Sequence, residues 1–151
     1  MLMSDRRIFK WAQRGNVQEL SILLLSVSEI NLEVRNQKGQ TPLHVAVENG
    51  HRSFAHTLLN SGANPNCLDH LGNTPLMKAA QKGDLSLFKL LIQNGSNIEI
   101  ENSNKMTAYD WAHAFHRRNI IHYLSSYGHS KKSELRAYFG AFKQLFQEII
   151  R

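Results

Sequence analysis

Eight histidines and one cysteine are the side chains of this 151-residue chain best suited to metal or nucleophilic chemistry. His113 and His116 stand three residues apart, a spacing that on a helix turns both imidazoles toward one ligand. The pair would need further ligands, and no His-Glu-x-x-His pattern places a general base beside it. Cys67 has no Cys or His at the spacing of a nucleophile motif, so it reads as a structural thiol. The glycines are too scattered to form a phosphate-cradling loop. The expectation from these residues is a protein with no metal, no cofactor and no catalytic role.

What spaces the glycines is an internal repeat. Gly39-Gln40-Thr41-Pro42-Leu43 recurs as Gly72-Asn73-Thr74-Pro75-Leu76, a shift of 33 residues, and Lys105-Met106-Thr107-Ala108-Tyr109 follows at the same shift. The register carries Ala46 onto Ala79 and Ala112, Leu58 onto Leu91 and Leu124, and Gly62 onto Gly95 and Gly128.

Each copy has a physical reading. Thr41 and Thr74 can accept from the orphan N–H groups at a helix start, and the proline that follows suits a first turn where no N–H is required. The short helix then stops at Gly50 or Gly83, which take the left-handed conformation without a Cβ penalty. Phe54, Ala55, Leu58 and Leu59 follow at helical spacing, as do Leu87, Phe88, Leu91 and Ile92. Asn-, Asp- and Gly-bearing stretches over 64–72 and 97–105 suit an extended arm with a tight turn. Each unit is therefore expected to be a helical hairpin, joined to the next by a projecting finger.

These residues resemble the ankyrin-repeat family, whose unit runs Asp-x-x-Gly-x-Thr-Pro-Leu-His, then Ala, Gly, a Leu-Leu pair and Gly-Ala. Residues 36–68, which include His44 and His51, carry that pattern almost entire, and the unit from Asp69 departs from it at Met77. The unit from Asn102 keeps Thr107, Ala112, Leu124 and Gly128 but loses the proline, the histidine and two glycines. Upstream, Ala12, Gly15, Leu20, Leu23 and Leu24 follow the expected order of a first unit, with two extra residues before Glu33. The resemblance implies an all-α solenoid of helix-turn-helix units with short finger hairpins. It divides residues 4–129 into repeats of about 4–35, 36–68, 69–101 and 102–129, the outer two degenerate as end caps of a finite stack.

Beyond the repeats, Leu135, Tyr138, Phe139, Phe142, Leu145, Phe146, Ile149 and Ile150 share one helical face, opposite Arg136, Lys143, Gln144, Gln147 and Glu148. Residues 133–150 are expected to form an amphipathic C-terminal helix that caps the last repeat, with dimerisation or partner binding as the other uses of such a face. Net charge is +6, and residues 130–151 hold five basic residues against Glu134 and Glu148, half of that excess. No apolar run approaches the roughly 18 residues needed to span a bilayer, and the first residues lack the apolar core of a secretory signal. Together with the single thiol, this leads to the expectation of a soluble, monomeric, intracellular protein, cytoplasmic or nuclear, or in a host cytosol if delivered there as a bacterial effector.

In the ankyrin family, partners lie along the concave surface made by finger tips and the exposed ends of first helices. Carried over position by position, the resemblance points to Gln37, Lys38, Gln40, Glu48 and Asn49, then to His70, Leu71, Asn73, Gln81 and Lys82. In the fourth unit it points to Ser103, Asn104, Met106, Ala114 and Phe115, with Trp111 close behind, and Gln13 and Arg14 extend the strip at the other end. Leu71, Met106 and Phe115 are apolar where the family leaves side chains exposed, as a binding hot spot would be. The leading expectation is a protein-binding scaffold. The alternatives are a targeting module of a larger enzyme or bacterial effector, suggested by a last helix that reaches Arg151 without a stop signal, and a nucleic-acid-binding module, which the basic balance suggests but the lack of interleaved aromatics disfavours.

Overall fold

The structure is a computed structural model and describes residues 3–26 and 30–125. The proposed C-terminal helix over 133–150 lies outside the described residues. Among the described residues eight helices follow one another: α1 (Met3–Arg14), α2 (Val17–Ser26), α3 (Pro42–Asn49), α4 (Arg52–Asn60), α5 (Pro75–Lys82), α6 (Leu85–Gln93), α7 (Ala108–Ala114) and α8 (Arg118–Ser125). They pair as four hairpins. The odd-numbered helices pack in series, α1 on α3, α3 on α5 and α5 on α7, while the even-numbered ones form a second layer of α2, α4, α6 and α8. Between the layers runs one continuous core that includes Ile8, Leu20, Phe54, Leu58, Leu87, Phe88, Leu91 and Ile120, each at most 2% exposed. No unit could bury such a core alone, so stability comes from stacking.

The helix starts follow the expected chemistry, with one variation. Thr74 Oγ1 accepts from the Met77 N–H at 3.2 Å, and Thr107 Oγ1 from the Asp110 N–H at 3.4 Å. In the second unit His44 takes over part of the cap: its Nδ1 accepts from the Thr41 N–H at 3.2 Å and lies 3.0 Å from Thr41 Oγ1. Asp84 caps the outer helix α6 by accepting from the Leu87 N–H at 3.0 Å.

The helix stops are left-handed residues. Gly50 and Gly83 have φ of 82° and 83°, and where the fourth unit lacks glycine, His116 adopts φ 54° in the same register. At the finger turn, Lys105 likewise takes φ 61° where Gly39 and Gly72 have 70° and 75°. The fold therefore imposes the same backbone on a residue that disfavours it, at a local cost of about 1 kcal/mol each.

The expected finger hairpins are reduced to turns, and no strand occurs among the described residues. All three fingers close alike. Asn36, Asp69 and Asn102 each donate their N–H to the carbonyl four residues on, at 3.0 Å, and accept on side-chain Oδ1 from the N–H groups two and four residues on, at 2.8–3.0 Å. One backbone bond ties each finger to the next: His70 N–H to Lys38 O and Ser103 N–H to Leu71 O, both 3.0 Å. A single bond per finger pair is too little for a ladder, so the side-chain turns carry the shape.

Candidate interaction surface

The stops of the inner helices set a common register across the four units. Asn16, His51, Asp84 and Arg117 each donate their N–H to the carbonyl five residues back, which aligns the concave-facing positions in rows. One row reads Lys10, Val45, Lys78, Trp111; the next Gln13, Glu48, Gln81, Ala114; the third Arg14, Asn49, Lys82, Phe115. Finger tips Lys38, Leu71 and Asn104 overhang them. An open groove between the first two units is lined by Gln13, Gln37, Lys38, Val45, Glu48 and Asn49, with Asn36 and Gln40 at its side.

Of the residues picked out by resemblance, Gln37, Lys38, Glu48, Asn49, His70, Leu71, Lys82, Asn104 and Phe115 are exposed, and Gln81 is half-buried. Four others are not. Gln40, Asn73 and Met106 share one register position and are 4%, 2% and 2% exposed, so the expectation that Met106 is an open apolar contact is corrected. That position precedes the capping threonine and closes the base of the finger, where its side chain turns inward. Gln40 Nε2 donates to Glu48 Oε2 at 2.8 Å and Asn36 Nδ2 to Gln40 Oε1 at 3.0 Å. Asn102 Nδ2 donates to Asn73 Oδ1 at 2.7 Å, linking the fingers of the third and fourth units. Trp111 is 8% exposed because Phe115 stacks on it, with ring centroids 5.5 Å apart and planes within 6°.

Sequence reasoning passed over how the units brace one another. His51 Nε2 donates to Gln13 O at 2.9 Å, Lys82 Nζ to Glu48 O at 3.1 Å and Arg117 Nε to Gln81 O at 2.9 Å. Each satisfies a carbonyl at the C-terminal end of the preceding inner helix, where a donor is favoured. Lys78 reaches Asp69 Oδ2 at 3.5 Å beneath the finger, both largely buried. Its signal was a basic residue in α5 that follows the finger Asp within the same unit, and the fold of that unit brings the two together.

The two candidate chemistries resolve differently. His116 lies past the end of α7 with its backbone left-handed, whereas His113 is on the helix against Tyr109, ring centroids 4.5 Å apart. They do not share a helical face, and among the described residues no group of three or more His, Cys, Asp or Glu could hold a metal. Cys67 does meet a histidine that its spacing in the chain concealed: Sγ lies 3.5 Å from His44 Nδ1 and 3.2 Å from Thr41 Oγ1. The contact does not make a nucleophile. Burial pushes the thiol up to about 11, only partly opposed by the Thr41 hydroxyl, and His44 Nδ1 already accepts from the Thr41 N–H. Since Asn73 O can only accept, His44 Nε2 carries the proton in their 2.9 Å bond and the ring is neutral. Burial, the largest influence, holds its pKa below the usual 6.5.

The family profile described as "Ankyrin repeats (3 copies)" matches residues 6–69 and 55–134. The chain belongs to the ankyrin-repeat family, whose members are generally protein-interaction modules and generally non-catalytic. Among curated proteins, it is similar to Delta-latroinsectotoxin-Lt1a of Latrodectus tredecimguttatus, with 40% identity over 55 residues, which are 36% of this chain and 4% of the toxin. It is also similar to the histone-lysine N-methyltransferase EHMT1 of Mus musculus and Homo sapiens, with 30% identity over 59 residues, 39% of this chain and 5% and 4% of those proteins. The chain thus spans about one-twentieth of the length of these relatives. No helix among the described residues is long and apolar enough to cross a membrane.

Proposed function

We propose that this chain is a non-catalytic scaffold that holds a partner protein on the strip formed by its finger tips and inner-helix ends. The observation that carries this reading is the alignment of exposed side chains from all four units on one surface: Arg14, Lys38, Glu48, Asn49, Leu71, Lys82, Asn104 and Phe115. Their backbones are braced by finger turns and inter-unit hydrogen bonds, which lowers the ordering cost of binding. Four chemistry-bearing residues are engaged in structure: His44 and Cys67 are buried in a cap, and Asp69 and Lys78 pair beneath a finger. A free thiol of this kind suits a reducing compartment, so the partner is sought inside a cell.

The shortness of the match within its long relatives favours a second use of the same surface, as the targeting module of a larger protein. Both uses are tested by proximity labelling in cells with the wild-type chain and a Lys38→Ser/Leu71→Ser/Lys82→Ser/Phe115→Ser variant. Proteins labelled by the wild type are expected to disappear with the variant while its helical circular dichroism persists. An unchanged labelled set would overturn the assignment of this surface.

A further inference from the structure

The concave strip is chemically divided along its length. At the end formed by the first two units stand Lys10, Arg14 and Lys38, all exposed, and Lys82 follows in the third. Among the described residues none of these four forms an ion pair; Lys82 donates instead to the backbone carbonyl of Glu48. The strip's exposed acid is Glu48, and one of its oxygens already accepts from Gln40 at 2.8 Å. Toward the other end the same rows turn apolar, with Trp111, Ala114 and Phe115 replacing the polar and cationic side chains.

The apolar end is preformed. Leu71 is 63% exposed at the tip of its finger, where its N–H donates to Asp69 Oδ1 and its carbonyl accepts from Ser103. Its backbone is thus held on both sides, while its side chain meets water. Phe115 is 37% exposed and lies flat on Trp111, which leaves one ring face fixed and the other side open. A held aromatic platform and an exposed leucine on one strip are the kind of features that anchor a partner's apolar side chain at low ordering cost. Lysine and arginine heads that no ion pair neutralises attract carboxylates and repel cationic partners, which adds selection and faster encounter.

We infer that the partner's binding segment is acidic at one end and carries a bulky apolar side chain at the other. Its carboxylates lie over the first three units, and the apolar residue sits between Leu71 and Phe115. This rests on the concave-surface reading and adds to it the chemistry and direction of the ligand. A nucleic acid fits less well, because one aromatic platform cannot stack a run of bases and Glu48 stands among the cations.

The test is selection of a phage-displayed library of random peptides on the full chain. Two paired variants sort the winners: Lys38→Glu/Lys82→Glu and Leu71→Ser/Phe115→Ser. Enriched peptides should combine Asp or Glu with Leu, Met, Phe or Trp, and each pair should weaken them at least tenfold, the charge pair's effect shrinking as salt is raised. Circular dichroism should be unchanged; were either pair to unfold, the finger-tip substitutions Lys38→Ala and Leu71→Ser alone provide the same comparison. Peptides without acidic residues that are still lost in the variants would overturn this inference and leave the concave-surface reading standing. No enrichment, or peptides indifferent to every variant, would overturn both. Random duplex DNA that displaces the peptides and binds the Leu71→Ser/Phe115→Ser variant undiminished would replace the acidic segment with a polyphosphate.

Discussion

His44 should make this protein less stable in mild acid, and the structure says why. The imidazole is 0% exposed, with Nε2–H donating to Asn73 O and Nδ1 accepting from Thr41 N–H, so both nitrogens are committed in the neutral form. Protonating Nδ1 would turn that acceptor into a donor facing the Thr41 amide and would put a charge where burial opposes it. Lys78 and Arg35 oppose it too, whereas Asp69 and the Asn73 carbonyl favour it, and the balance depresses the pKa. A depressed pKa means that the unfolded chain binds this proton more readily than the folded one. The neutral ring's contribution is therefore fully present above the free value near 6.5 and is lost as pH falls below it, until the folded pKa is passed. One proton limits the slope to about 1.4 kcal/mol per pH unit. Urea unfolding followed by circular dichroism between about pH 7.5 and 5.5 reads that slope. The comparison is His44→Met, which copies Met77, a buried methionine with Sδ 3.5 Å from the Thr74 nitrogen in the next unit. The variant should lose about 1 kcal/mol at neutral pH with the Asn73 bond, but should show a shallower decline in acid. Equal slopes in the two proteins would refute the neutral, buried assignment.

Cys67 predicts the opposite edge. With its thiol raised to about 11, the stabilising contribution of the neutral form is present below about 9 and is lost as pH rises toward 11, and iodoacetamide should label the folded protein far more slowly than the urea-unfolded one. Equal labelling rates would contradict its burial. Asp84→Ala should cost about 1 kcal/mol in urea unfolding by freeing the Leu87 amide at the start of α6, whereas Asp84→Asn should recover most of it. The amphipathic pattern of 133–150 predicts that deleting 133–151 lowers Tm and exposes dye-binding apolar surface; an equally stable, monomeric truncation would rule out the proposed cap.

Much of the fold was legible because its determinants are local and repeated. Threonine before proline starts a helix, glycine stops it, and the interval between Gly39 and Gly72 counts out the unit without any knowledge of packing. What local chemistry could not decide was the inward or outward sense of residues next to a turn. Gln40, Asn73 and Met106 sit one residue before the capping threonine, and stacking of neighbouring fingers turns them into the base while Lys38 and Leu71 remain at the tip. Nor does the chain reveal that Lys105 and His116 take left-handed conformations, because intrinsic preference opposes them and the surrounding units impose them. The Cys67–His44 contact joins residues 23 apart through the fold of a single unit, and the Lys82–Glu48 brace joins residues 34 apart only because one unit lies on the next. Sequence alone thus determined the repeating element, whose energetics are nearest-neighbour along the chain. Tertiary stacking decided which polar groups are buried and which side chains are left to meet a partner, since exposure is a property of the packed surface.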